Sequence, residues 1–184
     1  MADIAHPTRL ESLAGRAIGA TGVMLTPAPA AHRVVLRADP REAEALSKAL
    51  GLELPAAPKT SARTDTGRLI AWLGPDEWLI IDENGDPAAD LAKAAALHSA
   101  VDISHRNTAI LVTGKGARAT VQGGCPQNLS ERAFPVGSAS RTVLGKIEVV
   151  ILRTGAEEFR VECWRSFADY AFGVLSEAAK DCLA

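Results

Sequence analysis

Excess charge of either sign is missing from this sequence: 20 Lys and Arg stand against 22 Asp and Glu, a formal net charge of −2. Near-balance leaves no electrostatic footprint for nucleic acid. The basic residues are scattered, apart from a loose group around Lys59 and Arg63. Also missing is any apolar stretch of about 18 residues, so no membrane-spanning helix is expected. Met1 to Pro7 carry no charged segment followed by an apolar run, so no secretory signal is expected either. Cysteine is sparse and odd in number: Cys125, Cys163 and Cys182 stand far apart and form no Cys-x-x-Cys pair. That fits a reducing, cytoplasmic setting better than a disulfide framework. His6, His32, His98 and His105 are not spaced to complete a zinc site, so no metal is expected. Aromatics are scarce at 4%, but three of them are Trp. Trp72, Trp78 and Trp164 are therefore expected as core or interface anchors.

What remains is globular. With 47% hydrophobic and 23% charged residues, a disordered or fibrous chain is excluded. The length predicts a single domain spanning 1–184, or two lobes of about 1–98 and 99–184. At that size roughly 70% of the unfolded surface can be buried, so no metal or disulfide staple is needed.

The pattern along the chain is mostly alternating. Arg9 to Leu13 reads as one helical turn, and Thr21 to Thr26 as a short strand. His32 to Ala38 reads as a strand with Val34 and Leu36 on one face and Arg33, Val35 and Arg37 on the other. Asp39-Pro40 opens a helix with Asp39 as N-cap, an apolar stripe of Ala43, Leu46 and Leu50, and a stop at Gly51. Glu53 to Thr66 reads as a long loop of the kind that makes contacts. Arg68–Leu73 and Trp78–Ile81 form a hairpin around Gly74-Pro-Asp-Glu77. Asp86-Pro87 starts a helix that runs to about His98.

The second half has strands at Ala100–Ser104, Ala109–Thr113, Ser140–Leu144, Lys146–Arg153 and Phe159–Cys163. A short helix spans Lys115–Gln122 and ends at Gly123-Gly124. Ser166-x-x-Asp169 is a capping-box start for a last helix, whose buried face is Phe167, Tyr170, Ala171, Val174, Leu175 and Ala178. Hairpins outnumber crossovers, so the class is α+β, with mainly antiparallel sheets and helices packed on them.

Four clusters invite a chemical reading, and each has a plainer one. Gly114-Lys-Gly116-Ala-Arg-Ala119 imitates a dinucleotide fingerprint but lacks the third glycine and a following parallel strand; it reads as a strand-to-helix turn. Asp102, Ser104 and His105 cannot form a triad on one strand, because Ser104 and His105 point to opposite faces. They read as a turn presenting His105 and Arg106. Cys125 follows a helix C-terminus, where the dipole disfavours a thiolate, and reads as buried and structural. Cys163 reads as core. Trp72 and Trp78 read as a cross-strand core pair rather than a stacking platform.

Together the motifs carry a resemblance. Leu73-Gly-Pro-Asp-Glu-Trp-Leu79, Val101-Asp-Ile-Ser-His-Arg106, Gly124-Cys-Pro-Gln-Asn-Leu129, Arg141-Thr-Val-Leu-Gly-Lys146 and Phe159-Arg-Val-Glu-Cys-Trp-Arg-Ser-Phe-Ala-Asp-Tyr170 resemble the gamma subunit of heterotetrameric sarcosine oxidase. More distantly, the second half is similar to the folate-binding domain of glycine-cleavage aminomethyltransferases. The resemblance implies a folate-binding-domain-like (aminomethyltransferase-like) fold and a non-catalytic structural subunit. The enzyme would demethylate sarcosine oxidatively to glycine, with formaldehyde or methylene-tetrahydrofolate and hydrogen peroxide. It implies alpha, beta and delta partner subunits, with FAD, FMN, NAD and tetrahydrofolate on those partners and no cofactor on this chain.

The transferases carry an Asp beside the folate in the loop after the helix; the matching residue here is Asn128, which cannot ionise. No catalytic residue is therefore expected, and the candidate cofactor contacts are Asn128 and Arg106. The alternative is a stand-alone folate-binding, aminomethyltransferase-like protein. A folate-binding iron–sulfur maintenance protein would need a Lys-Gly-Cys-Tyr-type motif that Gly123-Gly-Cys-Pro126 does not reproduce. Candidate contact surfaces are the Glu53–Thr66 loop, the His105/Arg106 turn and the Cys125–Pro135 loop.

Overall fold

Alternating apolar strands need covering on one face, and strands apolar on both faces need covering twice. Both kinds occur here, and they set the layers. The computed structural model describes residues 12–20 and 22–181. In chain order the elements are β1 (Ile18–Ala20), β2 (Val23–Pro27), β3 (His32–Ala38), α1 (Ala43–Leu50), β4 (Ser61–Arg63), β5 (Leu69–Gly74), β6 (Glu77–Asp82), α2 (Pro87–Leu91), β7 (His98–Asp102), β8 (Asn107–Thr113), α3 (Ala117–Gly124), β9 (Ala139–Leu144), β10 (Ile147–Gly155), β11 (Glu158–Trp164) and α4 (Ala168–Asp181).

All strand pairs are antiparallel. They form a six-stranded sheet, β1-β2-β8-β11-β10-β9, and a five-stranded sheet, β4-β5-β6-β3-β7. With the helices packed on these sheets, the expected α+β class holds. The sheets are not successive halves of the chain: β1 and β2 lie in the same sheet as β8 to β11.

Strand parity stacks the layers. Val149 and Ile151 of β10 and Phe159, Val161 and Cys163 of β11 pack with Val121 of α3 and Ala171, Phe172 and Leu175 of α4. Val34 and Leu36 of β3 and Trp78 and Ile80 of β6 pack with Leu46 and Leu50 of α1 and Leu91 of α2. The alternate residues, Leu79 and Ile81 of β6 with Val150 and Leu152 of β10, meet between the sheets. Each such Leu, Ile, Val or Phe contributes about 1.5–3 kcal/mol on burial. The order is thus helices, sheet, sheet, helices.

That sandwich covers β3 on both faces along most of its length. Arg33 is 2% exposed, because the other sheet covers its end of the face it shares with Val35 and Arg37, while Arg37 at the far end stays exposed. The Asp86-Pro87 helix stops at Leu91 instead of reaching His98; Asp86 caps it through Ala88 and Ala89 N–H groups. His98–Asp102 instead forms β7 and pairs with β3, so this strand begins before Ala100. Asp39 accepts from Arg41 N–H as expected, but the first turn, Pro40–Glu42, is a 3₁₀ helix. The Glu53–Thr66 segment is not all loop: Ser61–Arg63 pairs with β5 as an edge strand. Gly123 and Gly124 lie inside the last turn of α3 rather than beyond it.

The last helix is out of phase with the expected face. Arg165–Phe167 is a 3₁₀ turn with no side-chain cap, so Ser166 does not open the α-helix. The helix proper buries Ala168, Ala171, Phe172, Leu175, Ser176 and Ala179. Phe167 and Tyr170 are each 39% exposed. Most of the Arg9–Leu13 turn lies outside the described residues, as do Thr21, His6 and Cys182; the second strand is Val23–Pro27.

One glycine is required by close approach. Gly114 has φ +104°, and a Cβ there would lie 2.3 Å from the Gly22 carbonyl oxygen. Gly114→Ala is therefore expected to cost about 1–3 kcal/mol or more. Urea melts of the variant check this; a loss below about 0.5 kcal/mol would contradict the close packing of β2 on the β8–α3 turn.

Candidate functional site

Three charged side chains converge in the middle of the protein. β3 and β11 each run inside their sheet, and the faces they turn to each other carry Arg33, Arg160 and Glu162. Arg33 Nε donates to Glu162 Oε2 at 2.7 Å, and Arg160 Nε donates to Glu162 Oε1 at 2.8 Å. The side chains of Arg33, Glu162 and Arg160 are 3%, 0% and 8% exposed. Arg160 Nη1 reaches outward to Glu83 Oε1 at 3.0 Å. Burial works against the Arg160 charge, but Glu162 and Glu83 outweigh it and raise its pKa. One carboxylate bridging two guanidiniums is a structural clamp: each of its oxygens is held by an arginine, so it is not a free base.

A second charged node closes the outer side of the five-stranded sheet. Arg68 donates to Asp82 Oδ2 and Asp90 Oδ2, both at 2.7 Å. Burial alone would raise the Asp82 pKa. Backbone N–H groups of Asn84 and Gly85 and the Arg68 guanidinium overcome this and hold it below the ordinary value.

The nucleophile candidates resolve into structural parts. Asp102 Oδ1 accepts Ser104 N–H at 2.7 Å, and the Ser104 hydroxyl accepts Arg33 N–H at 2.8 Å. Burial pushes the Asp102 pKa up, yet hydrogen bonds from Ser104 keep it below the usual carboxylate value. Ser104 is buried and His105 exposed, so the two do not pair. Cys163 is 1% exposed, and burial pushes its thiol up to about 12. Cys125 is 4% exposed, with its Sγ accepting Gln127 N–H at 3.4 Å. The start of α3 is closed by its own chain: Gly116 N–H donates to Gly22 O at 3.0 Å, where a dinucleotide would need open donors. Trp72 pairs across strands with Trp78, and Trp78 is 2% exposed. Among the described residues no group of three or more His, Cys, Asp or Glu could hold a metal ion.

The two cofactor candidates lie in different surroundings. Asn128 is exposed, and its Oδ1 accepts Ser130 N–H at 3.0 Å, closing a local turn. The loop around it folds on itself, with Gln122 Nε2 donating to the Cys125 and Gln127 carbonyls. Arg106 lies over the Trp164 ring, 5.1 Å from its centre. The cavity it lines holds about 40 Å³, far below the roughly 300–1,000 Å³ of a cofactor pocket.

What Arg106 does build is an exposed aromatic corner. Trp164 stacks on Phe167 with ring centres 5.9 Å apart, and Trp164 is 41% exposed. Arg165 N–H donates to Arg106 O at 2.7 Å, tying the β7–β8 turn to the end of β11. Nearby, the Tyr170 hydroxyl accepts Lys146 N–H at 3.2 Å, so this ring lies over the β9–β10 turn. The sequence reading named Arg106 and Trp164 separately. It missed Phe167 as surface, because the 3₁₀ turn rotates it out of the helix face.

The profile of the "Sarcosine oxidase, gamma subunit family" matches residues 36–181. The curated sarcosine oxidase subunit gamma of Corynebacterium sp. (strain U-96) is 31% identical over 140 residues, 74% of this chain and 68% of that protein. The subunit gamma of an Arthrobacter sp. is 34% identical over 147 residues, 77% and 72% of the two chains. A chain of the heterotetrameric sarcosine oxidase of Corynebacterium sp. U-96, solved with pyrrole 2-carboxylate, superposes with a TM-score of 0.81. It is 28% identical, over 94% of this chain and 91% of that one. Aminomethyltransferase T of the glycine cleavage system from Bartonella henselae shares the fold, with a TM-score of 0.60 and 14% identity. That likeness covers 84% of this chain but 45% of that one. Sequence, length and fold agree: the chain belongs to the sarcosine oxidase gamma subunit family.

Proposed function

We propose that this chain is a non-catalytic structural subunit of a heterotetrameric sarcosine oxidase, working in the cytoplasm. Its partners are the alpha, beta and delta subunits, and FAD, FMN, NAD and tetrahydrofolate reside on those partners. The assembled enzyme demethylates sarcosine oxidatively to glycine, with formaldehyde or methylene-tetrahydrofolate and hydrogen peroxide. The observation that carries this reading is the near full-length likeness to a chain of the heterotetrameric enzyme. The chemistry of the interior supports it: the buried carboxylate of Glu162 is engaged by two arginines, and Cys163 is held as a thiol.

The corner of Arg106, Trp164 and Phe167 contacts another subunit. Exposed Trp and Arg are the residues that dominate binding energy at interfaces. A stable contact buries about 800 Å² per partner, so the corner has neighbours in the interface. The Glu53–Thr66 segment and the Cys125–Pro135 loop are the candidates, and the bridge between Thr60 and Ser138 brings the first beside the end of the second.

Co-expression with the alpha, beta and delta subunits followed by size exclusion tests the proposal. The chain is expected to co-elute with them in one complex. Elution as a free species would overturn it. Calorimetry of the chain alone with tetrahydrofolate is expected to show no tight binding. Tight binding lost on changing Asn128 would support the stand-alone folate binder instead.

A further inference from the structure

The outermost strands of a sheet carry backbone groups without partners, and folded proteins guard such edges with short strands, charged side chains, proline, bulges or covering chain. The two sheets end in β1, β9, β4 and β7. β1 and β4 are three residues each. Ser61 N–H of β4 donates to Gly137 O at 2.8 Å, and Ala139 N–H of β9 donates to Lys59 O at 3.2 Å, so these two edges close on each other. Arg141 of β9 also pairs with Glu77 of the other sheet. β7 has none of these guards. Its five residues, His98-Ser-Ala-Val-Asp102, hold neither lysine nor proline, and their register on β3 is unbroken. Ser99, Val101 and Asp102 are exposed, Val101 to 53% and the adjoining Leu97 to 85%.

Register fixes what this edge presents. Ile103 N–H donates to Arg33 O, continuing the ladder from the Val34–Asp102 pair. Alternation in an antiparallel pair then turns the N–H and C=O groups of Ser99 and Val101 toward β3, and those of His98, Ala100 and Asp102 outward. Among the described residues no other segment pairs with this outer side.

The outward residues complement a copy of themselves. With two β7 strands set antiparallel about a two-fold axis at Ala100, the two Ala100 residues exchange both hydrogen bonds. His98 of each copy then falls opposite Asp102 of the other, an opposite-charge cross-strand pair formed twice. His98 Nδ1 donates to Ala96 O at 2.8 Å, which leaves Nε2 of the protonated ring for the carboxylate. Asp102 holds Ser104 N–H through Oδ1, which leaves Oδ2. On the other face Val101 meets Ser99 of the second copy and gains cover. We infer that β7 is a self-docking edge, along which two copies of this chain join their five-stranded sheets into one. This contact is between free copies and stands apart from the subunit role proposed above.

Sedimentation velocity of the full chain over a concentration series tests it, in mildly acidic buffer where an imidazole gains its proton. An edge of five residues lies at the weak end of interfaces, so a reversible monomer–dimer equilibrium in the micromolar range is expected. Val101→Lys changes an exposed side chain, should leave Tm unchanged and should weaken the dimer about tenfold or more. His98→Glu and Asp102→Lys each set like charges opposite one another twice and should weaken it similarly. An equimolar mixture of the His98→Glu and Asp102→Lys chains should dimerise again, because it sets Glu against Lys and His against Asp. Circular dichroism checks that each variant is folded, and Val101→Lys decides the matter if Asp102→Lys is not. The inference falls if the chain stays monomeric through the series, if Val101→Lys dimerises as well as the parent, or if the mixture of folded variants stays monomeric. It also falls if hydrogen exchange of residues 98–102 slows only when the partner subunits bind, which would give this edge to a partner's strand.

Discussion

Glu162→Ala is expected to lower the unfolding free energy by about 3–5 kcal/mol, because it strands the buried Arg33 guanidinium and leaves Arg160 with Glu83 alone. Arg33 and Arg160 would then face each other, 3% and 8% exposed, with no carboxylate between them. For a domain of this length about 2–4 °C is lost per kcal/mol, so Tm should fall by about 6–20 °C. Glu162→Gln keeps the shape and one acceptor but loses the charge, and should cost less. Replacing all three members with apolar residues of similar volume should restore most of the loss, since a well-packed apolar triad often matches a buried ionic one. Urea melts followed by tryptophan fluorescence and circular dichroism give these values. They also test whether the chain is one cooperative unit, as we propose, because the clamp joins a strand of each sheet. Two separated transitions, or a Glu162→Ala variant as stable as the parent, would refute the clamp.

Trp164→Ala is expected to weaken association with the partner subunits by about 30-fold or more, the mark of a hot-spot residue near 2 kcal/mol. Its ring is 41% exposed and its contacts, Phe167 and Arg106, are themselves exposed. Its removal should therefore shift the chain's own stability by no more than about 0.5 kcal/mol. Arg106→Ala should follow in the same direction with a smaller effect, through loss of its cation over the ring. Trp164→Phe should retain most of the affinity. Surface-immobilised partner complex titrated with each variant provides the measurement. An unchanged dissociation constant for Trp164→Ala would move the contact elsewhere, to the Glu53–Thr66 segment or the Cys125–Pro135 loop.

Most strands were legible because alternation survives in the sequence, as in Phe159-Arg-Val-Glu-Cys163. What alternation cannot say is which solvent-looking face is solvent. Arg160, Glu162 and Arg33 stand on the charged side of their strands' alternation, yet a second sheet covers them. The available signal was next door: Ile147 to Leu152 is apolar on both faces apart from Glu148, the pattern of a strand covered twice. In the last helix Ala171 and Leu175 are buried as expected, but the 3₁₀ turn at Arg165–Phe167 leaves Phe167 outside the helix and exposed, and Ala168, Phe172, Ser176 and Ala179 complete the buried face. The helix after Asp86 was over-extended because an Ala-rich run has helical propensity but no stripe to bury. At the site, Arg106 was readable from its turn. Its partner ring at 164 depends on contacts between distant strands, which no local pattern records.

The placement of β1 and β2 beside β8 has a consequence for how the polypeptide is made. On the ribosome the first two strands, paired with each other, emerge long before β8, and the β2 edge must wait open while β3 to β7 complete their own sheet. Long-range closure of this kind is slow, and unpaired strand edges invite association with other nascent chains. Biogenesis should therefore proceed from the middle outward, with the amino-terminal ribbon docking last.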